Sequence, residues 1–232
     1  MNNKKTEIKK AFREAFPTTI PVLTGFLALG IAYGILMKTN GYGVIWAFLM
    51  SAVCFCGSMQ FAAITFLTTV FDPLGAFFLS LLVNARHLFY GISLLQKYKG
   101  TGKLKFFLIY LLCDETYSIV SSKEPKEGIN RKYFYGFVSF LDYIYWITGT
   151  VIGSIAGGFI TFNTKGLDFA LTALFVVLFA EQMKVRENWI LGFIGIFSTV
   201  LCLVIFGADN LVIPAMIMII ILLTTGRNRL CN

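Results

Sequence analysis

Of the chain's 232 residues, 57% are hydrophobic and only 14% are charged, against roughly 25% charged residues in soluble domains. That excludes a water-soluble module and places the chain in the lipid bilayer, where the 24 Phe and 21 Gly suit lipid contact and close helix packing. The formal net charge of +8 excludes nothing by itself, but its placement does: Lys4, Lys5, Lys9, Lys10 and Arg13, then Lys97 to Lys105, then Lys123, Lys126, Arg131 and Lys132 all flank apolar runs, a membrane pattern and no nucleic-acid footprint.

Residues 1–16 read as a short cytoplasmic amphipathic segment. The first apolar run, 18–37, is about 20 residues long, enough to cross the hydrocarbon core. It lacks a small-x-small cleavage pattern, so it reads as a retained span and not a signal peptide. The second run, 43–70, is too long for one straight crossing at 1.5 Å per residue and holds Cys56-Gly57-Ser58 near its middle. A broken or re-entrant helix is expected there. Irregular backbone at membrane depth is tolerated only where it is buried in protein or lines a watery cavity, so Gly57, Ser58 and Gln60 become candidate pathway residues. Cys54 and Cys56 form a C-x-C pair, but His87 is the only histidine and no four-ligand set accompanies them. No metal, cofactor or disulfide framework is expected from the five cysteines.

In the third run, 75–95, helical spacing aligns Ser80, Asn84, His87 and Gly91, with Arg86 and Tyr90 on the adjoining face. Such a polar stripe serves as an inter-helix hydrogen-bond seam or, with a cation, an amide and an imidazole so close together, as part of a solute path. The fourth run, 104–121, contains Asp114 and Glu115. Two adjacent carboxylates in a low-dielectric setting do not both ionise cheaply, so one is expected to hold an exchangeable proton; an ion pair with Arg86 that only holds the bundle together is the alternative.

The fifth run, 134–160, places Asp142, Trp146, Gly149 and Gly153 on one face. Asp142 there is either a pathway residue or an interfacial one beside Tyr143 and Tyr145. Runs at 168–183, 189–206 and 211–226 follow, with Asp168 and Glu181 near segment ends, where hydration costs little. The sum is an all-α, polytopic membrane helix bundle of seven to eight segments forming one domain, 1–232, with one or more broken or re-entrant helices. Gly25, Gly30 and Gly34 loosely echo Gly149, Gly153 and Gly157, which suggests either an internal repeat or packing.

Eight straight crossings put the basic N-terminus, the 122–133 loop, Lys184, Arg186, Arg227 and Arg229 in the cytoplasm, as the positive-inside bias requires. They put the Lys97 to Lys105 loop outside, against that bias. A re-entrant segment within 39–71 would remove the conflict.

The runs Gly57-Ser58-Met59-Gln60-Phe61, Asn84-Ala85-Arg86-His87-Leu88-Phe89-Tyr90-Gly91 with Ser93-Leu94, Asp114-Glu115 and Gly166-Leu167-Asp168-Phe169-Ala170-Leu171 resemble the AzlC-type large subunits of bacterial branched-chain amino acid exporters. The resemblance implies export of leucine, isoleucine, valine and analogues, with a small hydrophobic AzlD-type partner subunit, in the bacterial plasma membrane. With no nucleotide-binding motif in the chain, a secondary, ion- or proton-coupled carrier is expected, not an enzyme. The alternatives are an intramembrane enzyme acting on lipid, a channel, or an accessory subunit that transports nothing itself. The expected pathway residues are Gly57, Ser58, Gln60, Asn84, Arg86, His87, Asp114 and Glu115, with Asp142 and Asp168 as further candidates.

Overall fold

A computed structural model describes residues 2–68, 72–159 and 189–207, with scattered positions between 169 and 186 and between 211 and 225. The described regular structure is helical: α1 (Asn2–Thr39), α2 (Val44–Cys54), α3 (Gly57–Thr68), α4 (Pro73–Asn84), α5 (Arg86–Leu94), α6 (Leu104–Tyr110), α7 (Asp114–Ser122), α8 (Arg131–Gly157) and α9 (Trp189–Phe206). Residues 1–171 form one compact unit and residues 172–232 a second. Among the described residues, α1, α4 with α5, α8 and α9 are long and apolar enough to cross a membrane. The protein is a polytopic membrane helix bundle.

Residues 2–16 continue into the first span as a single helix. α1 runs parallel along α8, from Glu7 beside Asn130 to Lys38 beside Gly157, and glycine sets the closeness of that contact. A Cβ on Gly30 would lie 3.0 Å from the Trp146 carbonyl oxygen, and one on Gly149 would lie 2.9 Å from the Phe26 carbonyl oxygen. Gly25, by contrast, has open space where its Cβ would be. The glycines that echo one another in sequence therefore meet across one seam, with Gly34 and Gly153 at its tightest point. α8 starts cleanly because the Asn130 side chain accepts a hydrogen bond from Lys132 N at 3.0 Å, an N-cap.

The stretch 43–70 is a helical hairpin. α2 enters from the far end of α1, the chain breaks at Phe55 and Cys56, and α3 returns, so that Tyr42 Oη donates to the Leu67 carbonyl at 2.7 Å. Phe55 at the tip has φ +24°, a left-handed conformation that a non-glycine residue adopts at a cost of about 1–3 kcal/mol. The stretch 104–121 is a second hairpin of opposite sense. α6 leaves the N-terminal end, the chain breaks across Leu111 to Cys113, and α7 returns to that same end. The far-end hairpin packs into a core around Tyr33, Phe61 and Trp146. The other packs into a core around Leu108, Val120 and Phe134.

Between the hairpins, α4 and α5 cross the bundle with an interruption at Ala85. Asp72 Oδ1 accepts from Gly75 N at 2.9 Å to start α4. At the other end of the crossing, Lys97 Nζ donates to the Val120 and Ser121 carbonyls at 2.7 and 2.8 Å and pairs with Glu124 at 3.2 Å. Lys126 N, in the same loop, donates to Glu14 of α1 at 3.0 Å. The lysine-rich loop after α5 thus lies at the N-terminal end, together with the 123–130 loop. Two re-entrant hairpins, in place of two crossings, bring it there.

Glu124 gives this end a weak pH dependence. Desolvation alone would raise its carboxyl, but Lys97, the Tyr135 hydroxyl and Arg131 together hold it below the ordinary glutamate value. Its stabilisation is complete above an unfolded value of about 4.3 and is lost as pH falls through the lower folded value. Because the carboxylate is 47% exposed, solvent screening limits the gain to under about 1 kcal/mol. Melting curves of the purified protein should show Glu124→Gln slightly less stable than the parent at pH 6, with the gap closing on acidification.

The second unit is described through α9, which has Ser198 and Cys202 buried and exposes Phe193, Phe197 and Val204. Trp189 Nε1 donates to the Met183 carbonyl at 2.7 Å.

Candidate functional site

Three helix interruptions, at Phe55–Cys56, Ala85 and Leu111–Cys113, bring their polar residues to one place. Arg86 opens α5 and reaches both hairpins. Its Nη2 donates to Ser58 Oγ of α3 at 2.7 Å, and its Nη1 pairs with Asp114 Oδ2 of α7 at 2.8 Å. Tyr90, one turn along α5, donates to Asp114 Oδ1 at 2.9 Å and stacks on Tyr117 with ring centroids 4.2 Å apart. Asn84 closes α4 by accepting the Cys56 thiol at 2.9 Å. The His87 ring lies against Tyr90, 5.5 Å between centroids, and beside the Leu112 carbonyl of the α6–α7 break.

The local sequence explains why the chain breaks here. Asp114 and Glu115 occupy the first turn of α7, where carboxylates are stabilised by the positive end of the helix dipole. In the middle of one continuous helix they would have no such support. Gly57 opens α3, and a Cβ there would lie 2.9 Å from the Trp146 ring, so only glycine lets this break seat against α8. The N-termini of α3 and α7 both lie among the breaks, and the Arg86 guanidinium joins Ser58 of the one to Asp114 of the other. Arg86 and Asp114 are partly open, with side-chain exposures of 31% and 23%. The charged pair is therefore not sealed off within the apolar bundle.

Of the residues singled out in sequence, Ser58, Asn84, Arg86, His87, Asp114 and Glu115 come together here. Gln60 does not join them. It is buried on the other face of α3, where its Oε1 accepts from Trp146 Nε1 at 2.7 Å and its Nε2 donates to Ser51 Oγ at 3.0 Å. Ser51 Oγ in turn donates to Thr150 Oγ1 at 3.0 Å. This network fastens the far-end hairpin to α8. Gln60→Leu would leave the buried indole N–H without an acceptor at a cost of about 1–3 kcal/mol. A lower melting temperature and a changed tryptophan emission spectrum are expected, whereas an unchanged melting curve would show that the network is redundant.

Asp142 is fully buried in α8 and accepts from Thr116 Oγ1 of α7 at 2.7 Å. It is thus a neighbour of Glu115 in space. Asp168 and Glu181 lie outside the described residues. Thr116 and Thr150 gave no signal in the sequence, because a single threonine in an apolar run looks the same whether or not it bonds to another helix. Among the described residues, no group of three or more His, Cys, Asp or Glu could hold a metal ion.

The sequence model described as AzlC protein matches residues 21–160, the interval from the first span through α8 that holds all three interruptions. Over 228 residues the chain is 47% identical to the branched-chain amino acid transport protein AzlC of Bacillus subtilis, covering 98% of this chain and 90% of that one. It is 38% identical over 224 residues to an uncharacterized membrane protein of Helicobacter pylori, covering 97% of this chain and 98% of the relative. A membrane protein of Haemophilus influenzae, also uncharacterized, is 36% identical over 224 residues, 96% of this chain and 92% of its own length. No solved structure matches the chain. With a family match over more than half its length and a near-full-length relative at this identity, the chain belongs to the AzlC protein family.

Proposed function

We propose that this chain is the large subunit of a secondary carrier that exports branched-chain amino acids by alternating access, driven by an ion or proton gradient. It sits in the bacterial plasma membrane with its N-terminus cytoplasmic and works with a small hydrophobic AzlD-type subunit. The name of the Bacillus subtilis relative supports the substrate class, and the lysine-rich loops gathered at the N-terminal end agree with a cytoplasmic placement.

The observation that carries the reading is the partly open Arg86–Asp114 pair at the meeting point of two opposed hairpins. An amino acid is a zwitterion, and its carboxylate and ammonium can replace Asp114 and Arg86 as one another's partners. Neither protein charge is then left unpaired in the apolar interior, where an isolated charge is expensive. The freed N–H groups at the start of α3 add a further place for the carboxylate. An apolar pocket discriminates a single methylene by only about 1–3 kcal/mol, so leucine, isoleucine and valine would share the site. Movement of either hairpin would open it to one side.

Reconstitution of the purified chain in liposomes, with and without the small partner, tests this directly. Saturable exchange of labelled leucine that requires the partner is expected, with Glu115→Gln impaired at equal protein amount. Non-saturable flux would indicate a channel, and turnover of lipid in place of leucine exchange would indicate an enzyme.

A further inference from the structure

We propose that Asp142 carries the coupling proton, held between α8 and the α6–α7 hairpin by the Thr116 hydroxyl. This rests on the carrier reading above and names the group that would link it to a proton gradient.

Asp142 is 0% exposed, in the middle of a bundle read as crossing the membrane. One carboxyl oxygen, Oδ2, accepts from Thr116 Oγ1 at 2.7 Å. The other, Oδ1, is buried with no hydrogen-bond partner. An ionised carboxylate in that position would need a cation or several donors, and the surroundings supply neither. From the start of α7 it is faced by Glu115 and by Cys113 just before it, of which one is a second acid and the other a half-buried thiol bonded to Thr116 at 3.1 Å. α1, packed along α8, has no charged residue between Glu14 and Lys38, and α2 has none. Arg86, at the centre of the bundle, is already shared between Ser58 and Asp114. The consistent state is the neutral acid, with the proton on Oδ1.

The location turns that proton into a coupling device. Thr116 follows Asp114 and Glu115 in the first turn of α7, so Asp142 grips the hairpin that carries Asp114. With the proton bound, α7 rests on α8 at no charge cost. If the hairpin moves and water reaches Oδ1, the proton can leave to the solution on that side, and the carboxylate then resists return to the dry position until a proton is taken up again. One proton bound on one side and released on the other would accompany each cycle. A sodium ion fits poorly, since it requires several hard oxygen ligands and a thiol occupies part of the surroundings.

The test uses the full chain with its small partner in liposomes. Asparagine mimics the neutral acid without a transferable proton. Asp142→Asn should therefore keep labelled-leucine counterflow at equal pH within about twofold of the parent, while accumulation driven by an imposed pH gradient falls at least about tenfold. The infrared carbonyl band of a protonated buried acid should be present in the parent at neutral pH and absent from Asp142→Asn. If that variant does not fold, Thr116→Val provides a second route, with a shift expected in the pH midpoints of both the band and the accumulation. Undiminished pH-driven accumulation in Asp142→Asn, dependence on a sodium gradient alone, a parent lacking the band, or unshifted midpoints in Thr116→Val would each overturn the assignment. If the parent moves no leucine at all, the exporter reading fails, and the infrared band still decides whether Asp142 holds a proton.

Discussion

Gly34→Leu and Gly153→Val are expected to destabilise the folded state strongly, whereas Gly25→Ala should leave it intact or slightly improved. A Cβ on Gly34 would collide with the Thr150 carbonyl and with Ser154 N and would lie 2.9 Å from the Gly153 carbonyl carbon; one on Gly153 would collide with the Ile31 backbone. These neighbours are main chain, so no rotamer change relieves the clash, and α1 and α8 would have to part. Overpacking in a close-packed core costs about 1–3 kcal/mol even where side chains can adjust. Here about 3 kcal/mol or more is expected, which by the scaling for chains of this size lowers the melting temperature by roughly 6–12 °C. Separation of α1 from α8 also removes the surface on which both hairpins are mounted. Gly25 has no atom within 4 Å of its Cβ position, and alanine there gains up to about 1 kcal/mol of helix propensity. Fluorescence-detected size exclusion with a thermal ramp separates the three variants. A monodisperse, parent-like Gly153→Val protein would refute the seam.

The seam was half legible in the sequence. Glycines four or five apart at 25, 30 and 34 and again at 149, 153 and 157 stand out in any apolar helix. Nothing in one chain says whether two such sets are repeats of one ancestor or two sides of one contact, because both produce the same spacing. The structure makes them two sides of one contact. The break near Gly57 was legible for a different reason, since the uncharged run of 28 residues from 43 to 70 exceeds one crossing and glycine marks the weak point. The break at Leu111–Cys113 was not. The run 104–121 has the length of one crossing, and Leu-Leu-Cys contains no residue that disfavours a helix. Its signal lay in the following pair, Asp114-Glu115, which are carboxylates that gain from a helix N-terminus. The lysines at 97 to 105 were the other trace of this second hairpin. The charge bias required an even number of reversals, and only tertiary structure reveals which apolar runs turn back.

The site itself was read from the cost of its residues. Arg86, Asp114 and Glu115 stand out because charge inside a membrane demands a partner, and two of those partners, Asp114 for Arg86 and Ser58 for its other arm, come from segments already marked as polar. Gln60 was marked for the same reason but serves a different purpose. A buried amide satisfied by an indole and a hydroxyl carries no net charge, so sequence cannot distinguish fastening from function at that position.

Arg86→Gln is expected to reduce leucine efflux by about 100-fold and Arg86→Lys by about tenfold, at matched amounts of protein in the membrane. The guanidinium makes two separate bonds, at 2.8 Å to Asp114 and 2.7 Å to Ser58, and so ties the two hairpins through α5. Its flat fork serves both at once. A lysine ammonium can follow Asp114 but has no second arm for Ser58. One bond to a charged group contributes about 1.5–3 kcal/mol, which converts to roughly a ten- to hundredfold change. Glutamine loses the charge as well, leaving Asp114 with the Tyr90 hydroxyl alone and the substrate carboxylate with no cation. Because the pair is partly exposed, the full 3–5 kcal/mol of a broken buried ion pair is not expected, and the variant should remain folded. That difference makes the measurement decisive. If Arg86→Gln melts well below the parent but exports leucine at the parental rate, the pair only braces the bundle. If it melts within a few degrees and efflux collapses, then restoring opposite charges in exchanged positions, Arg86→Asp with Asp114→Arg, should recover stability without recovering transport, since the two charges would then face the substrate's ends the wrong way round.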